Sequence, residues 1–107
     1  MILVTGANGF IGSAIIQRIQ KDGEHNVRGA VRQKGTDKVG RTDYVSIGDL
    51  SGETDWRRAL ESIRTVVHTA ARVHTTTANP VDNVAEFRKV NVEGTISLAQ
   101  QAVSQGV

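Results

Sequence analysis

Met1-Ile2-Leu3-Val4-Thr5-Gly6-Ala7-Asn8-Gly9-Phe10-Ile11-Gly12 is the stretch that decides how this chain folds. Four apolar residues and a threonine make a short strand that suits burial on both faces. Gly6, Gly9 and Gly12 then space a turn, and Ile11, Ala14, Ile15 and Ile19 recur at helical intervals until Asp22-Gly23 stops the helix. The same alternation continues downstream. Val27 to Arg32 reads as a second strand, Gln33 to Thr42 as a polar connection, and Tyr44 to Ile47 as a third strand. From Thr54, Trp56, Ala59, Leu60 and Ile63 form one apolar stripe, with Glu53 and Asp55 suited to a helix start. Thr65 to Ala71 reads as a fourth strand and Arg72 to Asp82, with Pro80, as a loop. Asn83 and Glu86 fit a capping box for a long last helix, whose stripe runs through Val84, Phe87, Asn91, Leu98 and Ala102 to a stop at Gly106. This order predicts an α/β fold: a doubly wound parallel sheet with right-handed crossovers and helices on both faces.

Composition narrows the function classes. The 107 residues suffice for one hydrophobic core, which 38% hydrophobic and only 4% aromatic residues make aliphatic. With Cys 0, disulfides, thiolate metal sites and cysteine nucleophiles are excluded, and no metal site is expected. No apolar run approaches the roughly 20 residues of a membrane span and no signal-peptide pattern opens the chain, so a cytoplasmic protein without a membrane partner is expected. A net charge of +2 and the lack of a basic-aromatic pattern argue against nucleic acid.

The glycine turn supplies a positive expectation. Between a buried strand and an amphipathic helix, this spacing is the setting of a Rossmann-type dinucleotide fingerprint. Gly6 suits the tight turn, Gly9 leaves room for a pyrophosphate, and Gly12 lets the helix approach the sheet. The first-turn amides of the helix and its positive dipole end face the phosphates.

Thr5-Gly6-Ala7-Asn8-Gly9-Phe10-Ile11-Gly12 resembles the cofactor turn of the extended short-chain dehydrogenase/reductase family, the NAD-dependent epimerases and dehydratases. Asp49-Leu50 resembles that family's adenine-holding pair, and Val67-His68-Thr69-Ala70-Ala71 its fourth-strand motif beneath the nicotinamide-side ribose and phosphates. Asn91-Val92-Glu93-Gly94-Thr95 resembles the helix signature whose asparagine supports the active site. Within the family, Ala71-Arg72-Val73-His74 and Phe87-Arg88-Lys89-Val90-Asn91 look most like bacterial nucleotide-sugar 4-epimerases. The resemblance implies a cofactor site of Gly6, Asn8, Gly9, Phe10, Ile11, Gly12, Arg32, Asp49, Leu50, Thr69, Ala70, Ala71 and Asn91. Plainer roles stand beside these: Asp49 can cap a turn before Ser51 and Gly52, and His68 reads as a packed strand residue. Asn91 can simply tie its helix to a neighbouring backbone.

The end of the second strand bears on which cofactor is held. A carboxylate there would bind the ribose hydroxyls, whereas an arginine accommodates a 2′-phosphate. Here stands Arg32, and from 28 to 41 Arg28, Arg32, Lys34, Lys38 and Arg41 face Asp37 alone. The expectation is NAD(P), with NADP(H) favoured by Arg32 and NAD by the epimerase resemblance.

The family's chemistry implies a tyrosine activated by a lysine four residues later. The single tyrosine, Tyr44, is followed at that distance by Gly48, so no catalytic pair is expected in this chain, with Asn91 as a supporting residue only. The motif order stops where the family enters its fifth strand. Residues 1–107 are therefore expected to be the N-terminal part of an NAD(P)-binding domain, interrupted after the fourth strand and its following helix and inactive alone. The fourth strand is expected to present an exposed edge that pairs with a second copy. Three functions follow: the cofactor part of a nucleotide-sugar epimerase or dehydratase, an NADPH-dependent carbonyl reductase of the same family, or a non-catalytic dinucleotide sensor.

Overall fold

The computed structural model describes residues 1–33, 40–73 and 79–107. Four parallel strands, β1 (Ile2–Thr5), β2 (Val27–Val31), β3 (Asp43–Ser46) and β4 (Thr65–His68), lie in the order β3-β2-β1-β4. Leu3 is in register with Arg28 of β2 and Val66 of β4, which makes β1 an interior strand. α1 (Phe10–Asp22) follows β1, and Gly23 ends it in the left-handed region at φ 71° with its amide on the Ile19 carbonyl.

Alternate residues of each strand feed two apolar layers, as the pleat demands. On one face Leu3, Ala30 and Val45 pack with Trp56, Ala59, Leu60, Ile63, Leu98 and Ala102. On the other, Val4, Val27 and Val31 meet Ala7 and Ile16, with Ile15, Ile19 and Tyr44 against them. Tyr44 is thus a packing residue, lying over Gly29 where a Cβ would come within 2.8 Å of its ring. Truncating a buried leucine such as Leu60 in a layer of this kind costs about 2–5 kcal/mol.

Several sequence expectations shift. The helix expected from Thr54 shrinks to α2 (Arg57–Leu60), although its stripe is buried as expected. The Thr54 hydroxyl instead bonds the Asp49 carbonyl and the Ser51 amide, holding the preceding segment in a turn, and Ser62 at φ 61° follows the helix. β4 ends at His68 rather than Ala71, because the amides of Thr69 and Ala70 turn away to the Thr5 hydroxyl. The last helical region begins at Pro80 rather than Asn83: α3 (Pro80–Phe87) is capped by Asn79, whose side chain accepts from the Val81 amide. Proline at the first helical position lacks only an amide that would have stayed unpaired, so Pro80 starts a helix instead of breaking one.

The long helix is also not continuous. Residues Arg88–Glu93 are π-helical before α4 (Gly94–Ser104) resumes. The extra residue per turn rotates the upstream face, so Leu98 and Ala102 are buried while Val84 is exposed. The expected connection over Lys34, Asp37 and Lys38, and the loop residues His74, Thr75, Thr76 and Thr77, lie outside the described residues. Among the described residues no helix is long and apolar enough to cross a membrane.

Candidate functional site

A cleft of about 660 Å³ opens at the C-terminal ends of β1, β2 and β4. Parallel sheets place their binding crevices at this end, where the chain leaves neighbouring strands in opposite directions. The glycine turn forms one side. Gly6 adopts φ +63°, its carbonyl accepts the Gly9 amide at 2.9 Å, and a Cβ on Gly12 would stand 2.1 Å from that carbonyl. Only a residue without a side chain fits at position 12. Gly9 leads into α1 with extended backbone, and no side chain caps the helix. The start of α1 therefore leaves backbone amides and its positive dipole end available to an anion.

Phe10 and Ile11 stand out into solvent at the cleft rim, 95% and 62% exposed. For helix residues after an apolar strand this is unusual, and both line the cleft together with Gly6, Asn8, Gly9 and Gly12. Arg32 and Asp49 line the far end, their side chains 3.9 Å apart and largely in solvent at 78% and 89% exposure. An ion pair this exposed contributes little to stability. Leu50 beside it is held from below, packing so closely on Gly94 that a Cβ there would meet it at 2.8 Å.

Thr69, Ala70 and Ala71 form the floor at the β4 end. They are fixed by Thr5, which is fully buried. The Thr5 hydroxyl accepts from the amides of Thr69 and Ala70, each at 3.1 Å, and the Thr69 hydroxyl donates to the Thr5 carbonyl at 2.6 Å. His68 lies between β1 and α4, with Nδ1 2.6 Å from Thr5 Oγ1 and Nε2 3.0 Å from Thr95 Oγ1. Burial pushes its pKa below the usual 6.5.

Asn91 is the one sequence-named residue outside the cleft lining. Its carboxamide grips Arg72 from both sides, accepting from the amide at 2.8 Å and donating to the carbonyl at 2.9 Å. This is the backbone tie anticipated as its plainer role, and it fixes the chain leaving Ala71. The π-helical turn carries Asn91, while its neighbours Lys89 and Val90 reach the cleft with Glu86, Arg72 and Val73. Sequence reasoning did not assign that wall, because the phase of the helix depends on the inserted residue. Arg72 and Glu86 approach each other across it at 3.9 Å. Among the described residues no group of His, Asp and Glu could hold a metal ion.

A glycine turn, a helix start and a small-residue strand end facing one cleft suit a ligand with a phosphate-bearing spine. Comparison with known proteins gives the same direction. Residues 2–107 match the model of the NAD dependent epimerase/dehydratase family. The chain is 33% identical to the UDP-glucose 4-epimerase of Vibrio cholerae over 108 residues, covering 99% of this chain and 32% of that protein. It superposes on MoeE5 in complex with UDP-glucuronic acid and NAD with a TM-score of 0.77 and 33% identity, covering 99% of this chain and 33% of that one. The Bacillus cereus UDP-glucuronic acid 4-epimerase, solved with UDP-glucuronic acid and NAD, aligns with a TM-score of 0.72 at 28% identity over 92% of this chain and 35% of that one. The chain thus spans about a third of the length of these relatives. With the family model matched over nearly its whole length and the same parallel sheet in its solved relatives, the chain belongs to the NAD dependent epimerase/dehydratase family.

Proposed function

We propose that residues 1–107 are the NAD(P)-holding N-terminal part of a nucleotide-sugar epimerase or dehydratase. The observation that carries this reading is the convergence of the Gly6–Gly12 turn and the Thr69–Ala71 floor on one cleft, with Gly12 seated where any side chain would strike the Gly6 carbonyl. The residues fit the cofactor. Gly9 and the start of α1 would take the pyrophosphate, Asp49 and Leu50 the adenine, and Ala70 and Ala71 the ribose and phosphates toward the nicotinamide. Bound there, the nicotinamide would accept a hydride from a sugar carbon and return it. This chain's own contribution is to hold and orient, with Asn91 fixing the Arg72 backbone beside the floor. Proton transfer would belong to residues outside it, so the chain by itself would turn over no sugar.

A second reading, an NADPH-dependent carbonyl reductase, is favoured by Arg32 at the end of β2, whose guanidinium lines the cleft and suits a 2′-phosphate. Calorimetric titration with NAD and NADP tests both. Binding of either supports the cofactor-holding role, a preference for NADP shifts weight to the reductase, and no binding at millimolar concentration removes the role. The β4 edge lacks a strand partner on one side among the described residues, which supports the expected pairing with a second copy. A sedimentation coefficient independent of concentration would remove that part.

A further inference from the structure

The hydrogen bonds around His68 determine which way every proton points. Thr5 Oγ1 accepts two backbone amides, from Thr69 and Ala70, and a hydroxyl has two lone pairs. Its single proton must therefore go to His68 Nδ1, 2.6 Å away. On the far side of the ring, Thr95 Oγ1 gives its proton to the Asn91 carbonyl at 2.8 Å. His68 Nε2, 3.0 Å from that hydroxyl, is then the donor to it. A one-way series of donors results, from Thr5 through the ring and Thr95 to the Asn91 carbonyl, and it admits only the Nε2–H tautomer of a neutral imidazole.

Each end of the series holds a residue that lines the cleft, Thr69 and Ala70 at one side and Arg72 at the other. The Thr69 and Ala70 amides that Thr5 holds press on the glycine turn: a Cβ on Gly6 would meet Ala70 N at 2.9 Å, and one on Gly12 the Thr69 hydroxyl at 3.0 Å. The Asn91 carbonyl belongs to the residue whose side chain fixes Arg72. We propose that His68 is a positioning residue for the cleft: as the neutral Nε2–H tautomer it locks the Thr5 hydroxyl onto the Thr69 and Ala70 amides, and a second proton on the ring releases that lock and weakens dinucleotide binding. The binding half of this statement rests on the function proposed above.

A proton on Nδ1 would point at a hydroxyl whose lone pairs are both in use, and would leave the buried Thr5 proton without an acceptor. Such a loss costs enough to disfavour the cation. Burial acts in the same direction and lowers the pKa. The groups facing the ring nitrogens are hydroxyls, Thr5 from β1 and Thr95 from α4, and among the described residues no carboxylate or cation bonds to the ring. With the folded pKa below the unfolded value of about 6.5, the stabilisation is complete above that pH and is lost as pH falls through the folded value.

The test is nitrogen NMR of the imidazole in the free protein, together with amide-exchange protection of Thr69 and Ala70 and NAD titrations at pH 7.5 and 5.5. The expected result is an Nε2–H tautomer at pH 7.5, protection lost as the ring charges, and NAD affinity falling a few-fold, by less than about tenfold, at pH 5.5. The variant His68→Gln should flatten that pH dependence whatever its own affinity, whereas His25→Gln should retain it. An Nδ1–H tautomer, or a pH slope that persists in His68→Gln, overturns the proposal. If NAD binds at neither pH, the function reading fails on its own, and Thr69 and Ala70 protection unchanged by ring protonation overturns the lock independently.

Discussion

The two ends of the cleft are built on opposite principles. At the β4 end a buried threonine hydroxyl, two backbone amides and an imidazole fix the floor, with every donor matched to an acceptor. At the β2 end the lining is two long, solvated side chains, Arg32 and Asp49, in a loose pair. The first is rigid because buried polar groups must be satisfied, and their loss is expensive. The second is adjustable because water substitutes for either partner. A shared shape at one end and a tunable choice of ligand at the other is what this difference predicts.

The largest effect should come from the rigid end. In an ordinary helix Gly→Ala gains up to about 1 kcal/mol from propensity. In Gly12→Ala the new Cβ would sit 2.1 Å from the Gly6 carbonyl, and that clash should win. The expected net loss is about 3 kcal/mol, with no measurable dinucleotide binding, read by urea denaturation and calorimetry. A variant of unchanged stability would show that the turn yields and is not rigid. Thr5→Val, nearly isosteric, strands the Thr69 and Ala70 amides and should cost about 2–3 kcal/mol in denaturant melts. A loss below 0.5 kcal/mol by the same measurement would place water where the hydroxyl was, ending the contrast between the two ends. Arg32→Ala should move stability by less than about 0.5 kcal/mol while weakening NADP roughly tenfold and leaving NAD unchanged. Equal weakening of both cofactors would remove the 2′-phosphate role from Arg32.

The same division governs how much the sequence revealed. The glycine turn, the succession of strands and helices along the chain and the helix-covered faces follow from local signals: glycine spacing, apolar runs in strands and stripes at helical intervals. Twelve of the thirteen residues named for the site from sequence lie along the cleft, and Asn91 lies behind it, holding Arg72. The opposite wall, with Glu86, Lys89 and Val90, was not legible. Its phase depends on Pro80 starting a helix under an Asn79 cap and on one residue inserted at Arg88–Glu93, and a regular helical period counts through both without notice. The short α2 was missed for a related reason. Its stripe is a true burial pattern, but the Thr54 hydroxyl spends its bonds on Asp49 and Ser51, in a turn that only the folded chain brings together.

Mapping amide chemical shifts during an NAD titration shows whether the cleft holds a dinucleotide along the glycine turn and the β4 floor. Saturable shifts are expected, centred on the amides of Gly9 to Gly12 and Thr69 to Ala71, with smaller ones at Asp49 and Leu50. Saturable shifts confined to the outer face of α3 and α4, or none at millimolar NAD, would contradict that binding.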